Sequence, residues 1–253
     1  METQTYINKV YMSQNVILSM LKNRGYQGAF HKLTRSFREL QSLLMVDGDD
    51  GDGGDIVGIR DLDDKPVHIH YLRIGSGKKP KDVIERFLKN WIDEYETTLD
   101  EEKIDEIFQD LELDGNDEDA LKKKVERLTK FVHLVVIYDG EYKTVRSPMG
   151  DKMYRYEPRT KLEKTIQSLS NRIEIFELSR TVYDIMENNL VPKHTLLQGD
   201  EYKKVVDKYG TTKLSKMLTT DPIVRYYNAK VGDIFRIERN SDETTEIVYR
   251  IVV

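Results

Sequence analysis

The run FVHLVVIYD at residues 131–139 constrains this chain more than any other segment. Its apolar residues are nearly continuous and rich in β-formers, the pattern of a strand buried on both faces. A strand of that kind needs other elements packed above and below it, and the sequence supplies candidates. Ile7, Val10, Tyr11, Ile17, Leu18 and Leu21 fall on one face of a helix that stops at Gly25 after basic Lys22 and Arg24. Leu33, Phe37, Leu40 and Leu44 predict a second helix over 30–45. Val67–Ile74 alternates as a strand. Pro80 opens a helix carrying Val83, Ile84, Phe87, Leu88, Trp91 and Ile92. A turn at Asp139-Gly140 leads into a further strand through Tyr142–Val145.

Beyond about Leu190 the elements become short. The spacing predicts a helix over 200–209, a short helix around Lys213–Leu218, and a helix started by Asp221-Pro222. Two strands close the chain, Ile234–Arg239 and Glu246–Val253, with Ile247, Tyr249, Ile251 and Val253 sharing a face. This tail reads as a compact α+β unit of domain size.

Charge is unevenly distributed. The whole chain of 253 residues carries −5. Residues 47–64 hold eight acids against Arg60, and residues 93–119 hold fourteen against Lys103. The remainder is therefore a basic scaffold carrying two acidic segments, and basic scaffolds dock on nucleic acid or on acidic partner surfaces. The Asp- and Gly-rich stretch 47–55 has nothing to bury and reads as a loop.

Most catalytic chemistry is excluded by residue type or spacing. The chain has no cysteine, which removes disulfides, Cys-based zinc sites, thiol nucleophiles and iron–sulfur clusters. No register of the 47–55 loop supplies the Glu that an EF-hand needs at position 12. Gly75-Ser76-Gly77-Lys78-Lys79 lacks the first P-loop Gly and the Ser or Thr after the Lys. His68 and His70 lie two apart on a strand and form at most half a metal site. No run approaches 18 consecutive apolar residues, so no membrane-spanning helix is expected, and the N-terminus does not resemble a signal peptide. One constellation stands: Asp139, Glu141 and Lys143 place Glu-x-Lys just past the buried strand. With a carboxylate from Asp63, Asp64 or Asp82, they would suit a stand-alone Mg²⁺ nuclease.

The tail carries a more specific signal. LVPKHTLL (190–197), DEYKKVVDKYG (200–210), LTTDPIVRYYNAKVGDIFRIER (218–239) and VYRIVV (248–253) follow in order at tight spacing. This pattern resembles the fifth shared subunit of eukaryotic-type DNA-dependent RNA polymerases, a family with a shorter archaeal counterpart. The N-terminal half is similar to that family more faintly, through the opening helix with Lys-Asn-Arg-Gly-Tyr (22–26) and the FVHLVVIY strand. The archaeal counterpart lacks that half, so the chain resembles the eukaryotic form, and a large DNA virus encoding its own polymerase is a candidate source.

The resemblance implies an α/β jaw, similar in fold to restriction endonucleases but not a nuclease, over residues 1–171, with insertions at 47–64 and 93–119. A small α+β assembly domain follows over 172–253. It implies a non-catalytic, structural subunit without a cofactor or metal, present once in a heteromeric complex and not at a membrane. The assembly domain would dock on the largest polymerase subunit and other polymerase subunits through Leu190, Val191, Pro192, Lys193, His194, Asp221, Pro222, Arg225, Tyr226 and Tyr227. Tyr and Arg suit interfaces because they join large area to hydrogen-bonding tips. The jaw would lie beside downstream duplex DNA, with Lys22, Arg24, Lys78, Lys79 and Lys81 as candidates for sequence-independent phosphate contacts. The expected setting is intracellular and reducing: the nucleus for a cellular protein, the cytoplasm and virion for a viral one.

Overall fold

The computed structural model describes residues 2–44, 52–73, 83–84, 86–88, 90–91, 128, 132–139, 145–146, 152–153, 172–240 and 244–253. The chain divides into two units, one formed by Met1–Ile17 with Gly25–Val182, the other by Leu18–Arg24 with Tyr183–Val253.

The strands of the first unit are β1 (Gln27–Gly28), β2 (Asp52–Arg60), β3 (Pro66–Arg73), β4 (His133–Asp139), β5 (Val145–Arg146), β6 (Lys152–Met153) and β7 (Ile173–Glu177). Five of them make one sheet in the order β1-β2-β3-β4-β7, antiparallel through β3 and parallel from β3 to β7. Strand β4 lies inside the sheet between β3 and β7 and is buried on both faces, as its composition demands. Leu134 and Val136 point to the face covered by Ile84, Leu88, Trp91 and Leu128. The opposite face meets helix Glu2–Asn23, whose Ser13 Oγ lies 3.3 Å from the Tyr71 hydroxyl and 2.7 Å from Thr181 Oγ1. Of the expected helix face, Ile7, Val10, Ile17, Leu18 and Leu21 are buried. Tyr11 is partly exposed and packs edge-on against Phe37.

Several expectations are corrected. The helix over 30–45 is broken into Phe30–Leu33 and Phe37–Leu44. Ser36 starts the second piece with a capping box: its N–H and hydroxyl donate to Glu39 Oε2, and Glu39 N–H donates to Ser36 Oγ. The stretch 47–55 expected as a loop is strand from Asp52 on, where β2 begins; residues 45–51 lie outside the described residues. Buried Ile56 and Ile59 anchor that strand on β3, and two register shifts absorb its poor β-formers, one of them beside Gly58 at φ +95°. Of the strand expected through Tyr142–Val145, Tyr142–Thr144 lie outside the described residues, and Val145–Arg146 pairs with Lys152–Met153. Ile173–Glu177 completes the first sheet beside β4, and the first unit runs on to Val182. The acidic segment 93–119 lies outside the described residues.

The second unit is a four-stranded sheet of β8 (Lys193–Leu196), β9 (Ser215–Met217), β10 (Ile234–Asn240) and β11 (Thr245–Val252), ordered β8-β10-β11-β9. The helix expected at 213–218 is instead a 3₁₀ turn, Thr211–Lys213, and strand β9. Strand β11 offers an open edge there, and Met217 pairs in parallel with Val252 and is buried. Both faces of β11 are used. Tyr249 and Ile251 pack on Leu197, Val205, Leu214 and Ile234, while Val248 and Val252 join Met217, Ile223, Val224, Phe235 and Ile237. Ile247 and Val253 remain exposed.

Candidate functional site

The residues expected to dock gather on two neighbouring pieces of the second unit, the loop before β8 with that strand's first two residues, and helix Pro222–Tyr226 with its caps. The loop is rigid for local reasons. Asp184 accepts from Met186 N–H, Asn188 Oδ1 accepts from Leu190 N–H, and Asn188 O accepts from Val191 N–H. Val191 packs on the core, which turns Leu190 outward with 90% of its surface exposed. Pro192 follows, and its carbonyl accepts from His194 Nδ1 at 2.6 Å, which puts the ring proton on Nδ1. His194 is buried against Phe235, and burial lowers its pKa despite the raising effects of the Pro192 hydrogen bond and the Asp221 charge. Lys193 is exposed and reaches Glu238 at 3.5 Å.

Helix Pro222–Tyr226 begins as its sequence demands, with Asp221 Oδ1 accepting from Ile223 N–H at 2.8 Å and Pro222 in the first turn. Its other end is a Schellman motif. Asn228 sits at φ +50°, its N–H donates to Arg225 O, and Ala229 N–H donates to Val224 O. Arg225 and Tyr226 are buried, and Tyr227 packs on Phe235 with its hydroxyl donating to His194 O. Burial raises both tyrosine pKa values. Tyr226 is thus buried and Tyr227 half-buried, whereas Leu190, Lys193 and Pro222 face solvent.

Of the DNA candidates, Lys22 is exposed on the last turn of its helix, while Lys78, Lys79 and Lys81 lie outside the described residues. Arg24 is corrected: it is 9% exposed, and its guanidinium donates to Tyr226 O at 2.7 Å and Arg225 O at 2.8 Å. Asp139 of the nuclease constellation is held by Lys9 at 3.3 Å, and Glu141 and Lys143 lie outside the described residues. His68 and His70 stack on one another and meet Trp91 edge-on, and His70 also packs against Phe87. Among the described residues, no group of three or more His, Asp or Glu side chains could hold a metal ion.

One cluster has no counterpart in the sequence-based reading. Buried His133 lies between Glu174 Oε1 at 2.9 Å and Asp61 Oδ2 at 3.8 Å, and Arg172 bridges Asp61 and Asp63. Burial alone would raise the Asp61 carboxyl, but His133, the Lys65 and Asp63 amides and the Arg172 charge outweigh it and lower the pKa to about 2. Asp61 and Asp63 come from a segment whose composition reads as solvated surface, so only the paired strands reveal them as a staple.

Comparison with known proteins matches residues 183–252 to the family model "RNA polymerase Rpb5, C-terminal domain". The chain is 43% identical over 72 residues to DNA-directed RNA polymerase subunit Rpo5 of Methanosphaera stadtmanae, covering 27% of this chain and 94% of that one. It is 32% identical over 158 residues to DNA-directed RNA polymerase subunit 5 of Acanthamoeba polyphaga mimivirus, covering 60% of this chain and 74% of that one. A third relative, DNA-directed RNA polymerase subunit 5-like protein 1 of Arabidopsis thaliana, is 40% identical over 75 residues, 29% of this chain and 35% of its own length. Neither the relatives nor the described residues support the nuclease alternative. With the Asp221-capped helix, the rigid Leu190 loop and the four-stranded sheet all inside the matched segment, the chain belongs to the RNA polymerase subunit 5 family.

Proposed function

We propose that this chain is a non-catalytic structural subunit of a multisubunit DNA-directed RNA polymerase, present once per complex. It docks through its second unit on the largest subunit, with Leu190, Pro192, Lys193 and Pro222 at the contact. Val191, His194, Asp221, Arg225, Tyr226 and Tyr227 hold those four in place from beneath. The observation that carries this reading is Leu190, a large apolar side chain almost fully exposed on a loop pinned by its own hydrogen bonds. A fixed, exposed aliphatic residue is a preorganised anchor, since little side-chain or loop order remains to be lost on binding.

The first unit, over most of residues 1–182, serves as the jaw, with the restriction-endonuclease-like α/β fold. It lies beside downstream duplex DNA, where Lys22, Lys78, Lys79 and Lys81 contact phosphates without reading sequence. The protein works where its polymerase works, in the nucleus or, in a viral setting, in the cytoplasm and virion. Co-expression with the other polymerase subunits tests the reading. A chain lacking residues 190–253 fails to assemble, and assembly of that truncated chain as efficiently as the full one would refute the docking assignment.

A further inference from the structure

A helix leaves its last carbonyls without partners inside the helix, and burial makes each of them costly unless something donates to it. In helix Pro222–Tyr226 the Schellman turn satisfies Val224 O and one lone pair of Arg225 O. Tyr226 O and the second lone pair of Arg225 O face a guanidinium from far away in the sequence. Arg24 Nε donates to Tyr226 O at 2.7 Å and Arg24 Nη2 to Arg225 O at 2.8 Å. Its neighbour Asn23 donates from Nδ2 to the Tyr226 hydroxyl at 2.7 Å. A cation at a helix C-terminus is also favoured by the helix dipole. Arg24 is nearly as buried as the residues it holds, so these bonds are sheltered from competing water.

We infer that Leu18–Arg24 is an integral piece of the docking unit, and that Arg24 is a positioning residue that presets helix Pro222–Tyr226 for its polymerase partner. The inference rests on the docking role proposed above. It means that segment 183–253 of this chain is not self-contained: the end of the helix that sets Pro222 at the surface is closed by residues from the other end of the chain. A planar fork that spans two adjacent carbonyls is a property of Arg and not of Lys, whose ammonium is a point charge. Without the clasp the helix end frays, and a partner that needs it ordered binds more weakly in proportion to the fraction of chains still competent.

The test uses the full chain with Arg24→Lys and Arg24→Ala, and a polymerase assembled without this subunit. Amide hydrogen exchange is followed at Tyr227, Asn228 and Ala229, whose N–H groups close the helix end, and at Ile237 and Val248 in the sheet. Arg24→Lys is expected to speed exchange about tenfold at the first three alone and to weaken polymerase binding by a similar factor. Arg24→Ala should do both more strongly; should it fail to fold, Arg24→Lys carries the test. A merely structural role would accelerate exchange across the sheet as well. Uniform acceleration, unchanged exchange at 227–229, or local acceleration with unchanged binding each overturn the inference. A wild-type chain that does not bind the polymerase overturns the functional reading itself, whereas equal binding by wild type and Arg24→Lys overturns the inference alone.

Discussion

Asn23 and Tyr226 are separated by 203 positions in the chain and by 2.7 Å in the fold, the Asn23 side-chain amide donating to the tyrosine hydroxyl. Tyr226→Phe removes this bond and leaves the ring packing against Tyr227 intact. The expected cost is about 1 kcal/mol, the net worth of one intramolecular hydrogen bond, read as a lower denaturation midpoint with an unchanged slope. No change in midpoint would mean that water replaces the hydroxyl's partner without loss.

Leu190 makes the opposite prediction. Its side chain is 90% exposed, so Leu190→Asp should change stability by no more than about 0.5 kcal/mol. On the docking proposed for this loop, the same substitution should weaken binding to the rest of the polymerase by about tenfold or more, because it puts a charge at the proposed apolar anchor. Binding equal to wild type would remove Leu190 from the contact.

The Asp61–Arg172–His133–Glu174 staple gives the first unit an acid-labile element. The Asp61 carboxyl has a pKa of about 2 when folded against an ordinary 3.8, and at 7% exposure it is little screened. A depressed carboxylate contributes stability that is fully present above the unfolded value and is lost as pH falls toward the folded one. About 2 kcal/mol should therefore disappear between about pH 4 and pH 2. Asp61→Asn should flatten that part of the stability–pH curve; a curve with the same slope in both proteins would contradict the assignment.

His194 titrates in a different window and in the second unit. Its pKa is lowered by burial, so the unfolded chain binds the proton first as pH falls below 6.5. Stability is therefore highest above that pH and declines below it, until the folded-state ring protonates too. The imidazole signals of His194 followed by NMR should stay those of the neutral, Nδ1-protonated form when an exposed histidine has already titrated. Titration at or above 6.5 would show that the Pro192 bond and Asp221 outweigh burial.

The parts legible from sequence are those whose physics is local. Val132–Ile137 announces a doubly buried strand because nearly every residue is apolar, and Asp221-Pro222 announces a helix start because capping needs only adjacent residues. The parts that were not legible depend on distant partners. Asp52–Arg60 has too many Asp and Gly residues to read as strand, yet β3 gives it a ladder to join. Ser215–Met217 is too short for any period, and Arg24 reads as a surface base because its acceptors are backbone carbonyls, which leave no trace in side-chain spacing. Tyr226 and Tyr227 carry area and a polar tip that suit an interface or a core equally. Here Tyr226 is buried and Tyr227 half-buried, while Leu190 and Pro222 are exposed.

Membership of a polymerase complex is tested by affinity purification of the tagged full chain from its native setting. Quantitative mass spectrometry of the eluate should find the two large polymerase subunits in equal amounts with this chain, one copy each. Recovery of the chain without the large subunits, or with them far below equal stoichiometry, would show that it is not a stable subunit of the polymerase.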